Sequence, residues 1–323
     1  MDRMKLRCAI LDDYQGVALA MADWSSLGPD VDVAVFRERF ADEDAAAASL
    51  HDFDIVVLMR ERTPFRASLF ARLPKLKLLV TSGPRNASVD VAAAAARGVV
   101  FSGTTASPAP TAELTWALIL GVARSIAREN ASLRANGPWQ STFGADLQGK
   151  RLGVLGLGRI GSHVARVGVA FGMDVVAWSQ NLKPERAAEV GVRLARSKDE
   201  LLETSDFVTI HLVLGDRTRG LLGAAELDRM RPSAYLINTS RAPIVDAAAL
   251  LDALRRGRIA GAALDVFEEE PLAPGDPLRS LPNVLATPHL GYVSETNYRI
   301  FYGEAVEDIR AFLAGAPVRR ILP

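Results

Sequence analysis

This sequence has a single cysteine, no net charge and no long apolar run. Its 323 residues contain one cysteine, Cys8, which excludes an internal disulfide and a thiolate metal cluster. Cys8 lies in an apolar run and is predicted to be a core residue in a reducing compartment, the cytoplasm. The 38 acidic and 38 basic residues balance, so nothing indicates nucleic acid or an anionic membrane as a partner. No apolar run approaches the ~20 residues of a membrane span.

Short apolar runs alternate with helix-like segments through the first hundred residues. Continuously apolar strands between helices are typical of a parallel sheet covered on both faces. The predicted strands are Arg7–Leu11, Val31–Phe36, Asp54–Met59, Leu76–Ser82 and Val99–Gly103, and the predicted helices are Glu43–Leu50, Phe65–Leu73 and Val89–Arg97. Because no glycine-rich phosphate loop accompanies them, we predict a wound α/β domain without a nucleotide signature of its own.

A long helix, predicted at about Thr111 to Ala135, leads into a second α/β alternation. Pro108 and Pro110 precede it, as is common at helix starts. The next predicted strands are Arg151–Leu157, Asp174–Trp178, Phe207–Leu212, Ala234–Thr239, Gly261–Phe267 and Val284–Thr287. The helices among and after them are predicted at Ile160–Phe171, Pro184–Val190, Asp199–Thr204, Ala224–Met230, Asp246–Arg256 and Glu295–Leu313. This half is therefore a second parallel-sheet α/β domain.

The turn Gly156-Leu157-Gly158-Arg159-Ile160-Gly161 follows the strand that begins at Arg151. In such a turn Gly156 permits a tight bend, Gly158 lets the backbone approach a pyrophosphate, and Gly161 lets the helix pack close to the strand. The helix N-terminus supplies amides to the phosphates. Three glycines alone are a weak signal, but the strand before them and the helix and strand after them predict a dinucleotide site.

The acid that usually binds the adenosine ribose is missing. In NAD-binding folds it lies near the end of the second strand. Here that strand is followed by Ser179-Gln180-Asn181-Leu182-Lys183, and Asp174 is at its opposite end. Nothing in this segment repels a 2′-phosphate, and three of its side chains could donate to one. The predicted cofactor is therefore NAD(H) or NADP(H).

Three polar segments follow late strands, at the strand ends where wound sheets bind ligands. They contain Arg241, Glu270 and His289. Hydride transfer between a nicotinamide and a 2-oxo acid needs a proton donor with a pKa near the working pH, and the pKa of histidine begins at ~6.5. A carboxylate would orient the imidazole, and the planar fork of an arginine suits the substrate carboxylate. These three residues supply one group of each kind.

The other histidines carry weaker signals. His51 and His163 have no polar company and are interpreted as structural or surface residues. His211 ends a strand on the edge where the cofactor is expected, so a supporting contact and a structural role are both open.

At these residues the chain resembles the D-isomer-specific 2-hydroxyacid dehydrogenase family, which includes phosphoglycerate, glyoxylate/hydroxypyruvate and D-lactate dehydrogenases. The resemblance extends from Leu78–Asp90 and Thr111–Leu114, through the glycine turn, to the arginine, glutamate and histidine segments in the family's order. It implies that Arg241 binds the substrate and that His289 is the acid/base. Glu270, which directly precedes a proline, would be its partner.

The resemblance also implies which residues surround the two ligands. Those implied for the cofactor are Arg159 and Ile160 at the pyrophosphate, Ser179 at the adenosine ribose, and Thr239, Asp265 and Gly291 around the nicotinamide. Ser82 and Gly83 match the loop that offers backbone amides to the substrate carboxylate, although the loop Ser82–Asn86 differs from the family's valine-glycine forms and leaves the substrate open. Arg60, Arg62 and Arg85 either recognise a second anionic group, such as a phosphate, or are exposed rim charges.

The family's architecture is a Rossmann domain inserted in a flavodoxin-like substrate domain. On this chain it predicts a dinucleotide-binding domain at 104–291 and a substrate domain formed by 1–103 and 292–323. It also implies a homodimer, formed largely through the cofactor domain and its long helix. No His/Cys cluster offers a zinc site, so no metal is expected.

Two functions from different classes follow from these residues. The first is an NAD(P)-dependent oxidoreductase of small D-2-hydroxy and 2-oxo acids, of the glyoxylate, hydroxypyruvate or phosphoglycerate type. The alternative is a non-catalytic, dinucleotide-sensing protein of the same fold, similar to a corepressor. The absence of a basic patch and of a disordered tail favours the enzyme.

Overall fold

The computed structural model describes residues 5–323, which form two compact units. Unit 1 combines Met1–Ser107 with Ser294–Pro323, and unit 2 is Pro108–Val293. The junctions predicted from sequence were 103/104 and 291/292. The assignment of one domain to substrate and the other to cofactor stays a prediction at this point.

Unit 1 is built on five strands that pair in parallel. They are β1 (Leu6–Ile10), β2 (Val31–Val35), β3 (Ile55–Leu58), β4 (Leu78–Thr81) and β5 (Val100–Gly103). Four helices connect them: α1 (Ala18–Met21), α2 (Glu43–Leu50), α3 (Ala67–Ala71) and α4 (Val91–Ala96). The strand order is β2-β1-β3-β4-β5. The chain runs from β1 to one side of the sheet and from β3 to the other side. The loops after β1 and β3 therefore separate at the carboxyl edge, which is where doubly wound folds bind ligands.

Unit 2 is built on seven parallel strands. They are β6 (Arg151–Leu155), β7 (Asp174–Trp178), β8 (Arg193–Leu194), β9 (Phe207–Ile210), β10 (Tyr235–Asn238), β11 (Gly261–Leu264) and β12 (Val284–Ala286). Its helices are α5 (Ala109–Ala123), α6 (Ile126–Arg134), α7 (Arg159–Ala170), α8 (Pro184–Val190), α9 (Lys198–Thr204), α10 (Ala224–Arg229) and α11 (Ala247–Arg255). The order β12-β11-β10-β9-β6-β7-β8 has its reversal between β6 and β9, as in a Rossmann fold with one added strand.

The last helix, α12 (Glu295–Leu313), belongs to unit 1 and packs against α1 and β4. Ser294 caps it by accepting a bond from the Asn297 amide. Its buried face carries Tyr298, Phe301 and Tyr302. Beyond α12 the chain returns to β5, where the amide of Ile321 donates to the carbonyl of Phe101 over 2.8 Å. The helix thus completes the apolar cover of a sheet whose strands lie almost two hundred residues earlier.

The predicted fold class, two wound parallel-sheet α/β domains with one of Rossmann type, is confirmed. Cys8 is fully buried, as predicted, and burial raises the pKa of its thiol to about 12. Among residues 5–323, no helix is long and apolar enough to cross a membrane.

The prediction of one helix from Thr111 to Ala135 is wrong. The helix ends at Ala123, and α6 begins at Ile126 after Ser125 adopts a left-handed backbone with φ +50°. The two helices differ in burial, because most residues of α5 are buried and no residue of α6 is. No glycine or proline stands at the break, so it could not be predicted from local signals.

Candidate active site

The glycine turn leaves room for a ligand at one glycine and fills the space at the other two. Gly156 has φ +98°, and a Cβ there would lie 2.8 Å from the backbone of His211. A Cβ on Gly161 would lie 2.0 Å from the Gly156 carbonyl oxygen. At Gly158 no atom lies within 4 Å of the added Cβ. The first and third glycines are thus required by packing, and the second presents bare backbone for a pyrophosphate to approach.

The start of α7 faces the same turn. Gly158 is the N-cap, and Arg159 and Ile160 are the first helical residues, so their amides belong to the orphan donors of a helix N-terminus. Ile160 is half-buried and packs on the core of unit 2. Turn and helix together fit the diphosphate of a dinucleotide.

His211 lies behind the turn, directly after β9. Its Nε2 is 2.9 Å from the Thr209 hydroxyl, and burial lowers the pKa of the imidazole to about 3. The ring is therefore neutral, and it is the backbone of His211 that lies against the first glycine. Of the two roles left open by the sequence, these contacts favour support of the turn.

Ser179, the residue predicted at the adenosine ribose, follows β7 and is half-buried. The loop 179–183 contains no acid. Arg186 on α8 reaches back to the turn, where its Nη2 donates to the Ser162 hydroxyl over 2.8 Å and its Nε to the Leu157 carbonyl over 3.4 Å. Arg186 carried no sequence signal, because its distance along the chain hides its approach to the glycines.

Arg241 is held in a fixed turn at the end of β10. Asn238, which is buried, accepts from the Ser240 amide and donates to the Arg241 carbonyl, both over 3.0 Å. The guanidinium donates to the Ser240 carbonyl over 2.8 Å. Its charge is among those that lower the pKa of Glu270, so the arginine lies within electrostatic reach of that carboxylate.

Glu270 and His289 form a bonded pair. Nδ1 of His289 lies 2.6 Å from Oε2 of Glu270, and Oε1 accepts from the Phe267 amide over 2.9 Å. Burial alone would raise the pKa of Glu270, but the bond and charge of His289, the amide and the charge of Arg241 outweigh it and lower the pKa. Because Glu270 is ionised and only accepts, Nδ1 must carry a hydrogen. The nitrogen that can exchange a proton with a ligand is then Nε2.

Asp265 organises the loop that carries His289. It is fully buried, and its Oδ1 accepts from the Thr287 hydroxyl and the Leu290 amide, both over 2.7 Å. Its Oδ2 accepts from the Gly291 amide over 2.8 Å. Burial raises its pKa against these bonds and the charge of His289. The carboxylate thus braces both sides of His289, whose backbone has φ +52°.

A chain of hydroxyls links α5 to the same edge. Thr239 and Thr115 share a 2.8 Å bond between their hydroxyls, and Thr115 also donates to the Thr111 carbonyl. Thr111 in turn donates to the Gly291 carbonyl over 2.8 Å. Sequence reasoning missed Thr115, and the i, i+4 spacing of two threonines on one helix was the signal available.

Tyr292 is a third residue that sequence reasoning missed. Its ring meets the His289 imidazole edge to face, with centroids 5.2 Å apart. It lies three residues after the histidine, and an aromatic residue there is a weak signal without structure.

The predicted substrate residues lie in unit 1, after β3 and β4. Ser82 accepts from the Arg60 amide over 2.7 Å, and the Gly83 amide donates to the Thr104 hydroxyl over 2.7 Å. The Arg60 guanidinium donates to the Ser82 carbonyl and lies over Gly83, where an added Cβ would be 1.8 Å from Nη1. Arg85 is exposed. Arg60 and Ser82 are thus bonded to each other, Gly83 lies beneath the Arg60 guanidinium, and Arg85 stands apart.

Arg62 has structural contacts instead of an open rim position. Its Nη1 donates to the Asp12 carbonyl over 2.6 Å, and its guanidinium lies 4.3 Å from the centroid of the Tyr14 ring. Arg60, by its bonds above and its pairing with Glu61, is likewise engaged. The interpretation of these two arginines as exposed rim charges is therefore wrong.

Comparison with known proteins agrees with this geometry. The model of the D-isomer specific 2-hydroxyacid dehydrogenase NAD binding domain matches residues 116–291. Glyoxylate reductase of Aeropyrum pernix is 41% identical over 76% of this chain and 76% of its own length. D-3-phosphoglycerate dehydrogenase of Bacillus subtilis is 38% identical over 88% of this chain and 54% of its own. The chain thus spans about half the length of that longer relative.

Solved structures give the same result. The structure of phosphoglycerate oxidoreductase from Vibrio cholerae superposes with a TM-score of 0.92 at 37% identity, covering 96% of this chain and all of that one. Fold and site define a nicotinamide-dinucleotide-dependent oxidoreductase. The chain belongs to the D-isomer specific 2-hydroxyacid dehydrogenase family, its cofactor is NAD(H), and the comparisons do not favour the corepressor-like alternative.

Proposed function

We propose that this protein reduces a small 2-oxo acid to a D-2-hydroxy acid, or catalyses the reverse reaction, with His289 as the acid/base. The observation that carries the proposal is the 2.6 Å contact between His289 Nδ1 and Glu270 Oε2. It stands on the carboxyl edge of the sheet that bears the glycine turn. The bound cofactor supplies or accepts the hydride.

His289 moves the proton. With Nδ1 held by Glu270, Nε2 gives a proton to the substrate oxygen during reduction and takes it back during oxidation. The ionised Glu270 stabilises the charged imidazole and fixes its orientation. Asp265 acts as a positioning residue, because its bonds fix the backbone on both sides of His289.

Arg241 binds the substrate carboxylate and polarises the carbonyl group. Its planar guanidinium can hold a carboxylate through two parallel bonds, and the Asn238 turn fixes where that group begins. Thr239 and Gly291, joined through the hydroxyls of α5, would surround the nicotinamide. Ser179 would meet the adenosine ribose, and Arg159 and Ile160 the diphosphate.

Ser82, Gly83, Arg60 and Arg85 are proposed as further substrate-binding residues. The internal bonds of Arg60 and Arg62 favour a small substrate with a single anionic group, of the glyoxylate or hydroxypyruvate type, over a phosphorylated one. The first of the named relatives is a glyoxylate reductase.

A homodimer in the cytoplasm completes the proposal. The segment from α6 to residue 143 exposes four large apolar side chains: Ile126, Leu133, Trp139 and Phe143. Trp139 is 79% and Phe143 98% exposed. Exposed apolar groups clustered in one segment are typical of an interface, and this segment begins within the stretch predicted as the long helix, to which the family resemblance assigned dimer contacts. Sedimentation velocity of the protein and of its Trp139→Ser, Phe143→Ser variant tests it; a wild-type monomer would refute the dimer.

The catalytic proposal is tested by turnover. Glyoxylate, hydroxypyruvate, pyruvate and 3-phosphohydroxypyruvate should be offered with NADH and with NADPH, and cofactor oxidation followed by absorbance. At least one of the small acids should be reduced faster than the phosphorylated acid. If no acid oxidises either cofactor, the proposal fails.

A further inference from the structure

The first two turns of α5 carry two threonines whose hydroxyls reach beyond the helix. Thr111 and Thr115 are four residues apart, so they lie on one face of α5. That helix packs across β10, β11 and β12, the strands that Arg241, Glu270 and His289 follow. Thr115 is fully buried and Thr111 half-buried. The two hydroxyls therefore belong to the packing of α5 on the sheet.

The proton of Thr115 is assigned by its two partners. Its hydroxyl is 2.8 Å from the carbonyl oxygen of Thr111 and 2.8 Å from the hydroxyl of Thr239. A carbonyl oxygen only accepts, so Thr115 gives its one hydrogen to Thr111, and Thr239 must donate in the other bond. Thr239 is buried and begins the arginine turn, residues 239–241. That turn is thus attached to α5 by a hydrogen bond of fixed direction.

Thr111 holds the histidine loop, residues 289–291, in a similar way. Its hydroxyl donates to the Gly291 carbonyl over 2.8 Å, and the Gly291 amide donates to Asp265 over 2.8 Å. A Cβ on Gly291 would lie 3.1 Å from Oδ2 of Asp265 and 3.4 Å from Cγ2 of Thr111. Gly291 is therefore bonded through both of its backbone polar groups and packed between the two residues that bond it.

The arginine turn and the histidine loop follow strands that are not neighbours. Because β11 lies between β10 and β12, the two strand ends are about 10 Å apart at the usual strand spacing. Asn238 fixes the arginine turn and Asp265 fixes the histidine loop, whereas the two threonines bond both of them to one helix. A helix bonded to both loops fixes the distance between them.

We propose that Thr111 and Thr115 are positioning residues that set the separation of Arg241 and His289. The proposal rests on the proposed function, in which the arginine binds the substrate carboxylate and Nε2 of the histidine faces the substrate oxygen. A 2-oxo acid carries these two groups on adjacent carbon atoms, so it cannot span a wider gap by bending. Since reacting groups must be held close to their reactive distance, a small displacement of either loop lowers the rate.

Valine substitution tests each hydroxyl, because valine has nearly the shape of threonine and lacks the donor. At saturating NADH, Thr115→Val should raise KM for the oxo acid about tenfold with a smaller effect on kcat, since it loosens the turn that binds the carboxylate. Thr111→Val should lower kcat about tenfold with a smaller effect on KM, since it loosens the loop that moves the proton. Thr115→Ser and Thr111→Ser keep the hydroxyl and should restore activity.

Thr204→Val is the matched control. The Thr204 hydroxyl donates over 2.6 Å to the carbonyl of Glu200, four residues earlier on α9, as the Thr115 hydroxyl does to Thr111. Thr204 stands just before β9 and hence at the amino edge of the sheet, opposite the arginine turn and the histidine loop. This variant should leave both kinetic constants unchanged.

Amide hydrogen exchange measures the two loops without substrate or turnover. Thr115→Val should accelerate exchange about tenfold in the peptide that contains 239–241, and Thr111→Val should do so in the peptide that contains 289–291. Each variant should affect its own loop, and Thr204→Val neither. The half-buried Thr111 tests the proposal alone if the fully buried Thr115 tolerates no change.

Three results would overturn the assignment. One is unchanged exchange in both loops, and another is equal acceleration of both loops by either valine variant. The third is a loss of activity in the serine variants equal to that in the valine variants, because it would show that the hydroxyls are not what matters. A wild type that reduces no oxo acid would refute the proposed function, and the exchange rates would still decide whether the threonines hold the two loops.

Discussion

The two sheets have similar architectures, but a glycine at the carboxyl edge of one has different surroundings from a glycine at the carboxyl edge of the other. In unit 2, Gly158 has open space where a side chain would be, and in unit 1 the equivalent space at Gly83 is filled by the chain's own Arg60. Gly83 has φ +86°, whereas Gly158 is extended with φ −75° and ψ −159°. The open space at Gly158 fits a ligand, whereas the space at Gly83 is occupied by the fold itself.

The largest effect is expected from the catalytic histidine. His289→Gln should lower kcat by ~10²–10⁴, because the proton transfer at Nε2 is lost, and should leave the Kd of NADH within about threefold. Steady-state kinetics and calorimetry measure the two quantities. His163→Gln, an exposed histidine on α7, should change neither; an equal loss of cofactor binding in His289→Gln would make its role structural.

Gly158→Val should weaken cofactor binding without destabilising the fold. The extended backbone accepts valine, and no atom of the described residues lies within 4 Å of the added Cβ, so the thermal midpoint should stay nearly constant. The methyl groups would occupy the space of the diphosphate, and the Kd of NADH should rise by about 100-fold, or ~2.7 kcal/mol. Unaltered affinity would show that the dinucleotide does not cross this glycine.

Gly83→Ala should have the opposite effect, destabilising the fold without weakening cofactor binding. A left-handed backbone costs a residue with a Cβ about 1–3 kcal/mol, and Arg60 must also move. Denaturant unfolding should show that loss, with NADH affinity unaffected. Gly98→Ala shares a positive φ of +71° but has no atom within 4 Å, so the excess destabilisation of Gly83→Ala reports the Arg60 contact alone; equal losses would contradict it.

The smallest expected effect is a pH dependence in unit 1. Burial raises the pKa of Asp308 from 3.8 to about 7, against the opposing charge and bond of Arg319, and Glu304 and Glu307 add to the rise. The folded chain then holds this proton more tightly than the unfolded chain. Its stabilising effect is complete below the unfolded pKa and is lost as pH rises through about 7.

Asp308→Asn should remove that slope. Between pH 5 and 8 the free energy of unfolding of the wild type should fall by about 2 kcal/mol relative to the variant. Asp228→Asn, at an exposed aspartate paired with Arg258, serves as the control and should follow the wild type. Parallel curves for wild type and Asp308→Asn would contradict the assignment.

Periodicity and strand-end chemistry were sufficient to predict most of the fold. Apolar runs located ten of the twelve strands within two residues of either end, because buried parallel strands have little else in them. The two-residue β8 was too short to show, and the predicted strand Gly261–Phe267 extended beyond the end of β11 at Leu264. The break at Ser125 was invisible because it depends on what α5 and α6 pack against.

The candidate site was predictable where residues act close to a strand end. Arg241 and His289 lie in the loops just after β10 and β12, Glu270 lies further along the loop after β11, and the pairing of the last two could be expected from their types. The contacts of Arg186 with the turn and of Tyr292 with His289 arise from how the chain folds back on itself. The sequence around each of these residues does not predict such long-range contacts.

The return of α12 to unit 1 has a consequence for how the chain is made. Unit 1 cannot cover its sheet with Tyr298, Phe301 and Tyr302 until residues 108–293 have been synthesised, which takes roughly 10–40 s at usual elongation rates. Unit 2 is continuous and can fold as soon as it emerges. The nascent first hundred residues must therefore wait with an apolar face exposed to the ribosome surface and to chaperones, so the later half of the molecule is the first to mature.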